Sequence, residues 1–338
     1  MSNYKHKNLV IKPVDETCNL KCSYCNAEKY DSKTRRMSLE VLDKIIYSAS
    51  KDEFSSFRFT WHGGEPLAAG VEFFQEVIRL QKKYFGRFRY HRYENIVQTN
   101  GLLLSNKYFD LFSENNFHLG FSIDGPDLEC NEYRFGMEKD PQKKLDHTIS
   151  KFREVKKRGL NLFVIFVIHD KNIKRASDIY KFICEIKADS VSFNPKFNSH
   201  LTSENVDVND YSGFLKEIFF LHKERGSEKP FLSNIEKYYS HAIGKKTNMC
   251  YLSNKCDQFL CINSDGEIFL TCTDELGFKV SSDIGELGQF LSQRKPRGNI
   301  ISTPINPYLD LGCPKYSHRD KKEDIYINRI IEMFRMEV

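Results

Sequence analysis

The stretch "CNLKCSYC", residues 18–25, places three cysteines on one short loop near the start of a 338-residue chain. Structural zinc sites usually close with four ligands, commonly as paired C-x2-C knuckles or their histidine-containing equivalents. A [4Fe–4S] cluster has four irons and ordinarily takes four cysteines, so three cysteines leave one iron open. The spacing therefore favours an iron–sulfur cluster with one open iron on Cys18, Cys22 and Cys25 over a zinc or purely structural site.

The composition limits the class of protein. The chain is 40% hydrophobic, which suffices for a real core, and carries a formal net charge of +5, too small to indicate a nucleic-acid partner. The first ten residues, "MSNYKHKNLV", lack the apolar centre of a signal peptide, and no apolar run is long enough to span a membrane. We therefore expect a cytoplasmic protein without a membrane partner, whose ten cysteines are metal ligands or buried thiols rather than disulfides.

Short β-rich runs alternate with helical periodicity over about two thirds of the chain. The strands are predicted at 9–11, 57–62, 94–99, 119–123, 162–168 and 190–194, each followed by a helical pattern or a polar turn. The run "LFVIFVI" (162–168) is apolar at every position, which is typical of a parallel strand covered on both faces. Six βα units predict an α/β fold with a parallel sheet or partial barrel.

The unusual residues follow the predicted strands. The cysteine loop comes after the first strand, "HGGEP" (62–66) after the second, "QTNG" (98–101) after the third and "SIDGP" (122–126) after the fourth. Since the carboxyl ends of parallel strands lie at one edge, these four turns are expected to converge on one mouth.

The C-x3-C-x2-C motif, with Tyr24 just before its last cysteine, resembles the signature of radical S-adenosylmethionine (SAM) enzymes. The resemblance implies a partial (βα)6 TIM-like barrel in which SAM chelates the open iron. An electron from the cluster then cleaves SAM to methionine and a 5′-deoxyadenosyl radical, which abstracts a hydrogen atom from the substrate. The resemblance runs from about residue 8 to 200.

Further positions resemble this family one by one. Gly63-Gly64-Glu65 looks like its GGEP motif, whose backbone holds the methionine amino group. The other positions implied to contact SAM are Tyr24, Gln98, Asn100, Ser122, Asp124 and Arg134, the last three resembling those that hold the ribose and carboxylate. Taken alone, the glycines of "HGGEP" also fit a tight turn, Ser122 and Asp124 also fit turn chemistry before Gly125-Pro126, and Arg134 also fits a solvated or salt-bridged arginine.

We divide the chain into a barrel (1–205), a helical connector (206–245) and a small cysteine-bearing module with a C-terminal helix (246–338). The module contains a hairpin signal at Asp265-Gly266 and resembles a truncated SPASM, or twitch-type, domain. The resemblance implies one auxiliary [4Fe–4S] cluster on Cys250, Cys256, Cys272 and Cys313. Cys261 in place of Cys256, structural thiols, or zinc remain alternatives.

Within the family, these motifs look most like anaerobic sulfatase maturases and enzymes that modify ribosomally made peptides. The catalytic aspartate that sulfatase maturases carry after the hairpin cysteine is Thr273 here, with Asp274 as a substitute base. The implied reaction is hydrogen abstraction from a precursor peptide, giving a crosslink, a dehydrogenation or an epimerisation. A flavodoxin- or ferredoxin-type protein would donate the electron.

Several alternatives remain open from the sequence. Formylglycine formation and radical oxidation of a small-molecule alcohol are other enzyme functions, and a noncatalytic iron–sulfur or zinc protein belongs to a different class. For epimerisation, a thiol hydrogen donor would come from Cys130, Cys184 or Cys261. With the first strand starting near residue 9, we expect no N-terminal leader-binding domain.

Overall fold

One mixed sheet organises the molecule. The computed structural model describes residues 5–25, 35–52, 55–86, 93–115, 117–196, 206–226, 229–245, 259–269, 279–292 and 322–336. Within these residues ten strands form the sheet: the first seven lie side by side in chain order, and the last three are added beside the first strand. This order confirms the predicted α/β class and the parallel pairing of successive βα units.

Seven strands pair in parallel in the order in which they occur along the chain. They are β1 (Lys5–Ile11), β2 (Ser55–Trp61), β3 (Tyr93–Thr99), β4 (Phe117–Ser122), β5 (Leu162–Ile168), β6 (Ser190–Pro195) and β7 (Phe231–Leu232). The helices between and after them are α1 (Leu39–Lys51), α2 (Val71–Phe85), α3 (Asn106–Glu114), α4 (Glu132–Phe135), α5 (Pro141–Lys157), α6 (Ala176–Glu185), α7 (Val208–Glu224) and α8 (Ser233–Ala242). A short 3-10 helix, Pro66–Ala69, precedes α2.

The helices are amphipathic and pack one face on the sheet. In α1 the Ser38 hydroxyl accepts a hydrogen bond from the Val41 amide (3.2 Å), so Ser38 is the N-cap of this helix. Leu42, Ile45 and Ile46 on its inner face are fully buried. None of the helices in the described part of the chain has the length and apolarity that crossing a bilayer requires.

The strand β5 is covered more fully on one face than on the other. Leu162, Val164, Phe166 and Ile168 are buried beside the helices, whereas the alternate positions are only half-buried. The prediction that this strand is covered on both faces was therefore wrong. Its second face, with Ile165 paired in register to Ser122 of β4, belongs to the less tightly covered side of the curved sheet.

The C-terminal third extends the same sheet. The strand β8 (Phe259–Ile262) pairs in parallel with β1 and in antiparallel with β9 (Ile268–Phe269), which forms the predicted hairpin around Gly266. After it come the strand β10 (Lys279–Ser281), a 3-10 turn (Ile284–Glu286), the helix α9 (Leu287–Ser292) and the helix α10 (Lys322–Arg335). The segment predicted as a helical connector contains α7 and α8, but it also contributes β7, which the sequence did not predict.

Candidate functional site

The cysteine loop is held in place by the turn after β2. The amide of Gly64 donates to the Asp15 carbonyl (2.7 Å) and the amide of Glu65 donates to the Thr17 carbonyl (2.8 Å). A Cβ on Gly64 would lie 2.2 Å from the Thr17 oxygen, and Gly63 has a φ of +103°. Glycine is therefore required at both positions, one for close backbone approach and one for its conformation.

The side chain of Glu65 is a buried acceptor that joins the second and third turns. Its carboxylate accepts hydrogen bonds from the Leu67 amide (3.1 Å), the Thr99 hydroxyl (2.8 Å) and the Asn100 amide (2.8 Å). Burial raises the pKa of Glu65 to about 7, while these donors act in the opposite direction. The carboxylate therefore holds the "QTNG" turn, and the contact of the Glu65 backbone with SAM stays a prediction.

Asn100 links the third turn to the cysteine loop. Its side-chain nitrogen Nδ2 donates to the Asn19 side-chain oxygen (2.7 Å) and lies 3.7 Å from the Cys18 sulfur. The Thr148 hydroxyl of α5 donates to the Asn100 carbonyl (3.3 Å). The predicted residue Asn100 is thus adjacent to a predicted iron ligand.

Tyr24, Asp124 and Arg134 form a buried network behind the cysteines. The Tyr24 hydroxyl donates to the Asp124 carboxylate (2.7 Å) and accepts from Nη2 of Arg134 (2.6 Å). The other carboxylate oxygen of Asp124 accepts from the Val167 amide (3.1 Å), which ties the network to β5. The structure therefore brings together three residues that the sequence placed at one site.

Nε of Arg134 is exceptional in this network. It lies 3.6 Å from Asp124 and is the one buried side-chain polar atom, within the described residues, without a hydrogen-bond partner. Burial opposes its charge, but Tyr24, Asp124 and the cysteines keep the Arg134 pKa above its ordinary value. A buried cation with an unused N–H group suits an anionic ligand group.

His169 was missed by the sequence reasoning. It is fully buried directly after β5, its ring packs edge-on against Tyr133 (centroids 4.8 Å apart), and its Nε2 lies 3.0 Å from the Cys130 carbonyl. Burial lowers the pKa of His169, which favours the neutral ring. His169 could have been selected as the other turns were, because it directly follows a predicted strand.

Gln98 and Ser122 lie side by side on β3 and β4. Nε2 of Gln98 donates to the Ser122 hydroxyl (2.9 Å), and both side chains are half-buried on the less covered side of the sheet. Gly120 is paired in register with Gln98 and leaves room for its side chain, since a Cβ there would lie 2.2 Å from the Gln98 side-chain oxygen and would displace it. The polar pair is therefore placed where a ligand in the mouth would contact it.

The three cysteines of the loop differ in exposure. Cys18 and Cys25 are exposed and Cys22 is half-buried. Burial raises the pKa of the Cys22 thiol to about 12, while the Arg134 guanidinium acts in the opposite direction. Since iron ligands are thiolates, cluster binding at this loop releases protons.

The donor set fits a cluster with one open iron. In the described part of the chain, no three His, Cys, Asp or Glu side chains converge on a single metal-ion position. An iron–sulfur cluster instead takes its thiolates on different irons. Three thiols on one loop, next to a buried guanidinium with an unused N–H, match a cluster whose fourth iron binds a cofactor that carries a carboxylate group.

The auxiliary site remains a prediction. Cys250, Cys256, Cys272 and Cys313, together with Asp274, lie outside the described residues. Cys261 is fully buried in β8, where it packs with Val10 and Phe269. This is the environment of a core thiol.

Comparison with curated proteins finds relatives that are named as anaerobic sulfatase-maturating enzymes. The chain is 28% identical to a serine-type anaerobic sulfatase-maturating enzyme of Bacteroides thetaiotaomicron, over 77% of this chain and 68% of that protein. It is 26% identical to a cysteine-type anaerobic sulfatase-maturating enzyme of Clostridium novyi, over 78% of this chain and 73% of that protein.

Solved structures share the fold. The structure described as native anSMEcpe with bound AdoMet and Cp18Cys peptide superposes with a TM-score of 0.76 at 23% identity, covering 97% of this chain and 95% of that chain. Streptococcus suis SuiB bound to S-adenosylmethionine gives a TM-score of 0.68 at 16% identity, covering 91% and 72% of the two chains. The family model of the Radical SAM superfamily matches residues 14–183, half of the sequence. The chain therefore belongs to the radical SAM superfamily.

Proposed function

We propose that this radical SAM enzyme abstracts a hydrogen atom from a residue of a ribosomally made precursor peptide. The observation that carries the proposal is the convergence of the cysteine loop, the GGE turn, the "QTNG" turn and the Arg134 network at the ends of β1 to β4. The relatives named as sulfatase-maturating enzymes, and the neighbours solved with a Cp18Cys peptide or with the precursor peptide SuiA, support a polypeptide substrate.

The cofactor chemistry of the superfamily sets what the residues must hold. When bound at this site, SAM would supply the 5′-deoxyadenosyl radical that accepts the hydrogen atom. In our proposal Cys18, Cys22 and Cys25 ligate the cluster. Their loop is fixed by backbone bonds to the GGE turn, so its geometry does not depend on exposed side chains.

The residues around the loop are proposed to orient SAM. The amides of Gly64 and Glu65 already donate to residues 15–17. The main-chain carbonyls of this turn are therefore the groups we assign to the methionine ammonium. The buried Arg134, with its unused Nε–H, is assigned to the methionine carboxylate. The side-chain amide of Gln98 and the hydroxyl of Ser122 are assigned to the ribose of SAM.

The first experiment tests the cofactor assignment. We would reconstitute the protein without oxygen, count iron and sulfide, add SAM and dithionite, and measure 5′-deoxyadenosine for wild type and for the variant with Cys18, Cys22 and Cys25 changed to Ala. With one auxiliary cluster, we expect about eight irons falling to about four in the variant, with loss of 5′-deoxyadenosine. Bound zinc, or no SAM cleavage by the wild type, would refute the proposal.

The second experiment distinguishes peptide maturation from formylglycine formation. The two types of sulfatase maturase among the relatives are named for serine and for cysteine. We would incubate the active enzyme with sulfatase-derived peptides carrying Cys or Ser, and with candidate precursor peptides, and measure mass changes. Loss of two hydrogens from a precursor peptide alone supports crosslinking or dehydrogenation, whereas formylglycine would establish the alternative.

Two finer assignments accompany the proposal. An auxiliary cluster on Cys250, Cys256, Cys272 and Cys313 would accept the second electron in an oxidative reaction. A flavodoxin- or ferredoxin-type protein is the proposed electron donor. Replacing dithionite by a reduced flavodoxin and measuring 5′-deoxyadenosine tests the donor.

A further inference from the structure

Asp15 adopts an unusual backbone conformation just before the cysteine loop. Its φ is +48°, a left-handed value that it shares with only one other non-glycine residue in the described part of the chain, Lys187. Asp tolerates this region better than most residues, but the conformation persists only when its surroundings determine it. The contacts of Asp15 are therefore informative.

The main chain and the side chain of Asp15 bind different parts of the molecule. Its main-chain carbonyl accepts from the Gly64 amide (2.7 Å). Its carboxylate accepts from both the amide and the hydroxyl of Ser264 (2.7 Å each), in the turn between β8 and β9. Ser264 is buried, so these bonds are shielded from water.

The same turn contacts the chain on both sides of the cysteines. Asp15 precedes Cys18, and Arg35 follows the cysteine segment; Arg35 pairs with Asp265, the neighbour of Ser264 (3.1 Å). The Lys12 amide also donates to the Ile262 carbonyl at the end of β8 (2.9 Å). The hairpin of residues 259–269 is thus joined to the segment that carries the cluster ligands.

We propose that Asp15 is a positioning residue through which the C-terminal hairpin fixes the geometry of the SAM-binding cluster. A shift of the hairpin would move the Asp15 carbonyl, which faces Gly64, and with it the start of the cysteine loop. The inference rests on the proposed SAM site, and it assigns to Ser264 a role that neither the cysteine motif nor the GGE motif contains.

Three substitutions separate the contributions of the side chain and the backbone. Asp15→Gly removes both bonds to Ser264 while permitting the left-handed conformation. Asp15→Asn keeps the conformation and retains both contacts, because its oxygen accepts from the Ser264 amide and its nitrogen donates to the Ser264 hydroxyl. Ser264→Ala removes only the hydroxyl bond. Asp283→Asn is the matched control, since Asp283 accepts from the Gly285 amide (2.8 Å) within the same C-terminal region.

The readout is the electron paramagnetic resonance spectrum of the reduced full-length protein, titrated with SAM, because only a cluster that binds SAM changes its signal. We expect the SAM dissociation constant to rise at least about tenfold in Asp15→Gly, less in Ser264→Ala, and to stay near wild type in Asp15→Asn and Asp283→Asn.

The outcomes are distinguishable. Wild-type SAM affinity in both Asp15→Gly and Ser264→Ala, even with reduced stability, would overturn the coupling and leave the proposed function standing. If Asp15→Gly does not fold, Ser264→Ala decides the question. This variant loses the hydroxyl bond but keeps the hydrogen bond from the main-chain amide of residue 264 to the Asp15 carboxylate. If the electron paramagnetic resonance signal of the wild type does not change when SAM is added, the proposed SAM site and the coupling are both overturned.

Discussion

Replacing Gly64 by alanine tests whether backbone contact with the GGE turn holds the cysteine loop. The new Cβ would lie 2.2 Å from the Thr17 oxygen and 2.6 Å from the Glu16 carbonyl carbon, both main-chain atoms. No side-chain rotation can relieve such a clash. Restoring an ordinary contact requires the two segments to separate by about 1 Å.

That separation breaks the bonds between the segments. The Gly64 to Asp15 and Glu65 to Thr17 bonds are 2.7 and 2.8 Å long, and about 1 Å more takes both beyond hydrogen-bonding distance. Two lost bonds, at about 1 kcal/mol each, lower the free energy of unfolding by about 2 kcal/mol. A displacement of about 1 Å at the cysteine loop is also expected to reduce SAM cleavage by about 100-fold.

The assay is urea unfolding together with 5′-deoxyadenosine formation after reconstitution. Gly213→Ala is the matched control, because Gly213 lies inside α7 and a Cβ added there would meet no atom within 4 Å. Alanine is expected to stabilise α7 by about 0.5–1 kcal/mol without changing activity. Wild-type stability and SAM cleavage in Gly64→Ala would refute the argument.

Three further predictions concern buried polar groups. Because burial raises the pKa of Glu65 to about 7, its protonated form stabilises the fold at low pH, and the free energy of unfolding relative to Glu65→Gln is expected to fall by about 3 kcal/mol as the pH rises from about 4.5 to above 7. Tyr24→Phe removes the acceptor of the buried Arg134 Nη2 group, so it should destabilise the protein by about 1–3 kcal/mol in urea unfolding and weaken SAM binding. Burial lowers the pKa of His222 to about 4, so the neutral ring stabilises the fold above about pH 6.5, and about 3 kcal/mol is expected to be lost as the pH falls towards 4. Acid unfolding of His222→Gln should lack this loss.

Each of these has a contradicting result. Parallel pH profiles for wild type and Glu65→Gln would show that Glu65 does not titrate in this range. For Tyr24, the control is Tyr47→Phe on the exposed side of α1, and equal effects of the two substitutions would remove the special role of the buried hydroxyl. An unchanged acid transition in His222→Gln would assign the low-pH loss to other groups.

Much of the fold was predictable because periodicity and strand-end turns are local signals. The cysteine spacing, the GGEP turn and the position of each strand along the chain are visible in nearby residues. The described strands β1 to β6 lie where the alternation of strand and helix patterns indicated. The β5 prediction failed because an all-apolar run does not report which of its faces is covered by helices. The strand β7 has only two residues, too few for a pattern.

The candidate site was predictable as a set of positions but not as a network. The sequence selected Tyr24, Asp124 and Arg134 separately, whereas their contacts depend on how α4 and β5 pack. Glu65 was selected because the backbone of its motif is implied to hold SAM, and that assignment stays a prediction; the three hydrogen bonds that its carboxylate accepts from Leu67, Thr99 and Asn100 could not be read from the motif. Asp15 and Ser264 are 249 positions apart, and no local pattern connects residues at that separation.

That separation also has a consequence for biosynthesis. The strand β1 leaves the ribosome well before its neighbour β8, and the Ser264 turn is translated 249 residues after Asp15. At ordinary translation rates the delay is about 12–50 s. During this interval β1, which leads into the cysteine loop, lacks one of its two sheet neighbours, and such long-range pairing is slow to form. The order of synthesis therefore favours iron–sulfur assembly after the hairpin has been made, by machinery acting on a chain in which β8 already lies beside β1.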